Sequence, residues 1–201
     1  MTKNLTPVKI LLTAVVLACA SVLLAQAEKK KAGMAMTAGP RLSPHETVYV
    51  RVGADRQSAS LVSLTYGRPY SAKGGKGETR KIWGGLVPWG KADRLGADEA
   101  TTITFEHPIE IGGKPIPAGA HVLYIIPSET GTSQLAISSH IGKWGIPVDE
   151  SHDEARVDLK KEELPESVDQ LTLVLENHQT SGLIKIKWEK TQFSVPFTVK
   201  K

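Results

Sequence analysis

The sequence predicts an all-β fold: an antiparallel β-sandwich or open barrel of about nine short strands with one long ordered loop. Three observations predict it. Apolar residues recur at every second position in one short segment after another. Glycine and proline, 18 and 12 in the chain, punctuate the joins between those segments. No window of helical length carries a 3.6-residue period; residues 162–170 are polar, are broken by Pro165, and read as one turn at most.

Alternation begins at Glu46, where Val48, Val50 and Val52 share one face and Tyr49 and Arg51 the other. Val62, Leu64 and Tyr66 repeat the pattern, as do Ile103 with Phe105 and Ile109 with Ile111. Gly112-Gly113 then suits a two-residue hairpin turn, which needs positive φ. Pro115, Pro117 and Gly119 punctuate the turn into residues 120–126, which are apolar on both faces and therefore central. Short strands follow at 134–138 and 155–159. Leu171, Leu173 and Leu175 oppose Thr172, Val174 and Glu176, and Ile184, Ile186 and Trp188 oppose Lys185, Lys187 and Glu189. Phe193, Val195, Phe197 and Val199 close the chain, with Pro196 on the outward set, the mark of an edge strand or a bulge. There is no internal repeat of solenoid length.

Residues 1–27 read as an export leader. Lys3 and Lys9 make a positive start, residues 10–24 an apolar core, and Ala25-Gln26-Ala27 a small-x-small cleavage site. The apolar run falls short of the roughly 18–20 residues of a spanning helix, so cleavage after Ala27 is expected, with no transmembrane segment left. A lipoprotein anchored through Cys19 fits less well, because bulky Leu17 precedes it and the apolar run continues beyond it. The expected location is therefore the periplasm or the medium. Cleavage leaves a tether over 28–45, with its Glu-Lys-Lys-Lys start and Pro40 and Pro44, and a single β-sandwich domain over 46–201. Cys19 is the chain's one cysteine, so the cleaved chain has no disulfide, thiolate metal site or cysteine nucleophile. The leader carries 2 of the 25 basic residues and none of the 21 acidic ones, leaving 23 against 21. A net charge of +2 gives no electrostatic case for nucleic acid or a membrane surface.

Residues 66–101 have neither period, yet they hold Trp83, Leu86, Val87 and Trp89 among many glycines and cations. Loops of that length in a compact domain are functional or disordered, and disordered segments lack such residues. An ordered, functional loop is the expectation. Tyr66-Gly67-Arg68-Pro69, the run from Lys81 through Trp83-Gly84-Gly85 to Trp89-Gly90-Lys91, Arg94, Gly96-Ala97 and Glu99-Ala100-Thr101-Thr102 resemble the signature of a bacterial family, the domain-of-unknown-function family numbered 2911. Ala118-Gly119, Ile126-Pro127, Lys143-Trp144-Gly145 and the stretch from Trp188-Glu189-Lys190-Thr191 to Val195-Pro196 extend the resemblance over about residues 60–199. Asp93, Asp98 and His121 depart from the pattern, which has an aromatic, Asn and Tyr there. The resemblance implies an exported bacterial protein and brings no activity, cofactor or catalytic residue.

The candidate ligand-binding set is Tyr66, Arg68, Arg80, Trp83, Trp89, Lys91 and Arg94. Aromatic faces stack on sugar rings or hold cations, and arginine forks grip carboxylates, so the set suits an envelope saccharide or peptide. A structural reading stands beside it: Trp83, Leu86, Val87 and Trp89 plug one end of the sandwich and Arg94 pairs with Asp98 or Glu99. The two are compatible. The glycine- and lysine-rich run 71–79 lacks Walker spacing and a following helix, and reads as a loop tip. Asp93, Asp98 and Glu99 are the carboxylates an acid/base hydrolase would use, though carboxylates beside Arg94 are more often ion-paired than catalytic, and no serine-hydrolase motif is present. Six histidines lie at 45, 107, 121, 140, 152 and 178 without ligand spacing. Residues 149–154 form the densest cluster of ligand types and read as a solvated acidic loop. No metal site and no cofactor are expected. The leading reading is a non-catalytic envelope binding module using the 66–101 face. Its rivals are a hydrolase of envelope or extracellular polymer and a purely structural partner domain. Ligand identity and oligomeric state have no signature in the sequence.

Overall fold

The computed structural model describes residues 41–200 apart from 56 and 58, so the leader and most of the tether lie outside the described residues. Ten strands follow one another: β1 (His45–Val52), β2 (Ser60–Gly67), β3 (Thr101–Phe105), β4 (Ile109–Ile111), β5 (Lys114–Ile116), β6 (Gly119–Ile126), β7 (Gln134–Ser138), β8 (Asp153–Asp158), β9 (Lys160–His178) and β10 (Ser181–Val199). They form two antiparallel sheets, ordered β1-β2-β3-β6-β7-β8 and β5-β4-β10-β9, neither closed into a barrel. The fold is all-β, and among the described residues the helical elements are two short 3-10 turns, Lys73–Gly75 and Glu150–His152.

Alternation builds the core. Val62, Leu64, Ile103, Phe105, Leu123 and Ile125 come from the six-stranded sheet, and Leu171, Leu173, Ile184, Ile186, Phe193 and Phe197 from the four-stranded one. The rings of Phe105 and Phe197 meet across the two layers at 6.1 Å. Each such side chain contributes about 1.5–3 kcal/mol when fully buried. β6 lies between β3 and β7, as its two apolar faces require. Gly112 and Gly113, at φ 54° and 72°, turn β4 into β5, where residues 114–116 pair as a strand rather than serving as loop.

The second half of the chain departs from the sequence pattern. Residues 162–170 are not a loop or a helical turn but the first half of the 19-residue β9. They are polar because they lie on the outer strand of their sheet and are mostly exposed. Pro165 sits where no residue of β10 is paired, between the Glu163–Thr191 and Val168–Glu189 partners, at an irregularity in register. β10 joins the two strands expected at 184–189 and 193–199. It is not an edge strand: Pro196 falls between the end of pairing with β9 at Ser194 and its start with β4 at Phe197. The missing N–H therefore interrupts no ladder.

Between β2 and β3 the chain crosses the end of the sandwich. Pro69 and Ser71 hydrogen-bond to β9 (Leu171 N–H to Pro69 O, 3.0 Å; Ser71 N–H to Asp169 O, 2.7 Å). Ile82, Trp83, Val87 and Leu95 then enter the core. Trp83 is 8% exposed, meets Phe193 edge-on at 5.1 Å and Trp188 at 6.3 Å, and donates its indole N–H to Trp188 O. Gly84, at φ +77°, lets Trp89 lie against the backbone, since a Cβ there would fall 2.2 Å from the indole nitrogen. Asp93 exchanges both backbone hydrogen bonds with Ile125 of β6, which returns the crossing to the six-stranded sheet it left at β2.

A polar clasp fixes the entry to this crossing. The Tyr66 hydroxyl donates to Glu46 Oε2 (2.6 Å) and accepts from Leu173 N–H (2.9 Å). Arg68 donates to the other Glu46 oxygen (3.3 Å), to Leu171 O and to Thr172 Oγ1. Replacing Tyr66 with Phe should leave Leu173 N–H buried without its acceptor, a loss of about 1–3 kcal/mol. At roughly 2–4 °C per kcal/mol for a chain of this size, calorimetry would resolve it, and an unchanged melting temperature would deny the hydroxyl this role.

Candidate functional site

β6 has two apolar faces, and the second one builds a cleft. Leu123 and Ile125 enter the core, while Val122 and Tyr124 point to the outside of the six-stranded sheet. There, with Ser138 of β7, they floor a cleft of about 260 Å³. Arg94 and Ala100 form one wall, and the loop from Lys143 to Asp149 the other. Ala100 N–H donates to Lys143 O (3.1 Å), closing one end. Gly145, at φ +84°, permits the approach: a Cβ there would lie 3.0 Å from Ala100 Cβ and 3.1 Å from Arg94 Cβ.

The loop turns its apolar residues outward. Trp144 is 54% exposed, and Ile141 and Ile146 are similarly open. The Arg94 guanidinium stacks over the Trp144 ring at 5.5 Å and donates to Gly96 O, Trp144 O and Asp98 O. A half-exposed indole carrying a cation on its face can stack a flat or aliphatic ligand and draw a carboxylate. Beneath it, the Tyr124 hydroxyl donates to Asp153 and accepts from Arg156. Burial first, and the Asp153 hydrogen bond second, push the Tyr124 hydroxyl above the usual phenol range, so it remains a donor.

The seven residues of the candidate binding set do not converge on one place. Tyr66 and Arg68 meet through Glu46 in the clasp. Arg80 turns back on its own segment, donating to Ser71 O and Tyr70 O. Trp83 is in the core, and Trp89 packs half-buried against it with Lys161 Nζ over its ring at 5.9 Å. Lys91 is exposed. Of the seven, Arg94 is the one that lines the cleft. Its partner Trp144 had no chemical signal in the sequence beyond membership of the Lys143-Trp144-Gly145 motif.

Of the three carboxylates, Asp98 and Glu99 share one histidine, and Asp93 has different partners. His45 Nε2 lies 3.1 Å from Glu99 Oε2 and 4.0 Å from Asp98 Oδ2. Arg94 takes the backbone carbonyl of Asp98. Asp93 accepts from Leu95 N–H (3.2 Å), but burial dominates and raises its carboxyl above the ordinary range. At the far rim of the cleft, His140, Asp149 and His152 bring one donor atom each within 4.8 Å of one another, a metal-sized grouping.

Two open antiparallel sheets, a crossing that plugs one end and a lined cleft on the outer face define an all-β domain of the kind that displays a loop-built site on a packed scaffold. The family model for the protein family of unknown function DUF2911 matches residues 43–197, and the chain belongs to that family. Among curated proteins and among solved structures, nothing matches.

The raised carboxyl of Asp93 has a measurable consequence. An acid whose ionised form is penalised on folding lowers stability once the pH rises above its unfolded value, near pH 4. Asp93→Asn keeps an acceptor for Leu95 N–H without the charge. Its melting temperature should equal or exceed that of the parent at neutral pH, with the advantage vanishing below about pH 4. A clear loss at neutral pH would mean that the ionised carboxylate has a partner of its own.

Proposed function

We propose that this chain is an exported bacterial envelope protein whose domain binds, without turnover, an envelope saccharide or peptide in the cleft between Arg94 and Trp144. The observation that carries the reading is the Trp144 indole, exposed on one side and capped by the Arg94 guanidinium at the cleft mouth. A sugar ring or aliphatic chain would lie on the apolar floor of Val122 and Tyr124, with its carboxylate toward Arg94 and Lys143. Exposed large apolar residues gathered on one loop mark interaction sites rather than ordinary surface. The hydrolase reading has no comparable support, since Asp93, Asp98 and Glu99 do not line this cleft.

Trp144→Ala is the discriminating variant, because an exposed side chain contributes within about 0.5 kcal/mol to stability. In a calorimetric screen of peptidoglycan fragments, uronic-acid oligosaccharides and short peptides, the parent should bind at least one class. Trp144→Ala should weaken that binding by about tenfold or more, as loss of a hot-spot residue does, at nearly unchanged melting temperature. Binding indifferent to Trp144, or none at all, would overturn the reading. The export part has its own check: protein recovered from the producing cells should start at Glu28, and a lipid-modified Cys19 in its place would make it an anchored lipoprotein.

A further inference from the structure

We propose that His140, Asp149 and His152 form a mononuclear site for a divalent transition metal, with Zn²⁺ the best-suited ion. His140 follows β7 by two residues, whereas Asp149 caps the start of the 3-10 turn Glu150–His152 and His152 is its last residue. The backbone brings the two segments together, Ser139 N–H donating to His152 O at 3.1 Å. His140 Nδ1 then lies 3.5 Å from Asp149 Oδ2, and His152 Nε2 lies 3.4 Å from the same oxygen. Zinc ligands at roughly 2.0–2.1 Å in a tetrahedron stand about 3.3–3.4 Å apart. The two separations therefore match edges of a zinc tetrahedron. The third, between the imidazoles, is within 4.8 Å, and partly exposed side chains close such a gap by small rotations.

The carboxylate is oriented for this use. Its Oδ1 accepts from Ser151 N–H (3.1 Å) and Ser151 Oγ (2.6 Å), which leaves Oδ2 toward both imidazoles. Hydrogen bonds that fix a ligand's far oxygen are a regular feature of metal sites. Two imidazoles and one carboxylate are the donor set of catalytic zinc and of other divalent first-row ions, and they leave a coordination position for water or a ligand. His140 and Asp149 also line the cleft, so that position borders it. The metal site stands without the cleft's proposed ligand.

Equilibrium dialysis of the purified, tag-free protein against Zn²⁺, and Co²⁺ titration followed in the visible, test it directly. One equivalent of Zn²⁺ should be retained, and Co²⁺ should give the intense visible bands of a four-coordinate site. His140→Ala and His152→Ala should each weaken binding at least about 100-fold, beyond the loss from removing an outer hydrogen-bond partner. Asp149→Asn, which keeps the acceptor for Ser151, should do likewise, so that a failure of one histidine variant to fold would not mask the result. His178→Ala, at an exposed histidine beside Glu176, should bind as the parent does. No retained zinc, or retention unaffected by all three site variants, would overturn the proposal.

Discussion

The Tyr66 hydroxyl holds three strands at once, and the crossing segment depends on it. It sits on β2, donates to Glu46 on β1 and accepts from Leu173 on β9, so a single oxygen spans both sheets. Arg68 reinforces the arrangement two residues later, from the same carboxylate to Leu171 and Thr172. No disulfide is possible among the described residues, because the chain's one cysteine is Cys19. The layers are joined by apolar packing and by this polar clasp at one edge. Burial strengthens the bonds of the clasp and holds the Tyr66 phenol well above its ordinary range. With the entry fixed, the chain from Pro69 to Ala100 can leave β2, plug the end with Ile82, Trp83 and Val87, and return to the same sheet at β6.

The cleft follows from that arrival. Asp93 pairs with Ile125, and the next residue, Arg94, is thereby delivered beside Val122 and Tyr124 on the outward face of β6. Its guanidinium then organises the neighbourhood by capping the carbonyls of Gly96, Asp98 and Trp144. Packing inside and a site outside thus share one strand. Leu123 and Ile125 serve the core, while Val122 and Tyr124 serve the cleft. This is why β6 looked apolar on both faces.

Much of the fold was legible because period-two alternation reports a strand with one buried face. β1, β2 and β3 advertise themselves in that way, and β6 does so by a run apolar on both faces. β9 does not over residues 162–170, because its side chains there are at most half-buried and the pattern has no fully buried set to reveal. β5 is too short to show a period. The site was less legible for a different reason. Trp83 and Trp144 are the same residue type, and composition cannot say that one is inserted among Trp188 and Phe193 while the other is turned outward. The grouping of His140 with Asp149 and His152 is likewise invisible as a spacing, since His140 is brought to the other two by the backbone bond from Ser139 to His152. Asp149 and His152 did lie in the dense ligand-type stretch.

The outer rim of β9 has a bearing on how readily another extended chain could pair with it. An unpaired strand edge offers a row of N–H and C=O groups to any other extended chain, and invites edge-to-edge stacking. Residues 169–171 of β9 are covered by the crossing segment through Pro69, Tyr70 and Ser71. The stretch before them has no strand on its outer side among the described residues. It carries Lys160, Lys161, Glu162, Glu163, Pro165 and Glu166 in seven positions, together with the register irregularity. Charged side chains that would have to be desolvated, a ring that cannot donate and a break in register all oppose growth into a longer sheet. The polarity that hid this strand in the sequence also makes its edge a poor template for pairing with another copy.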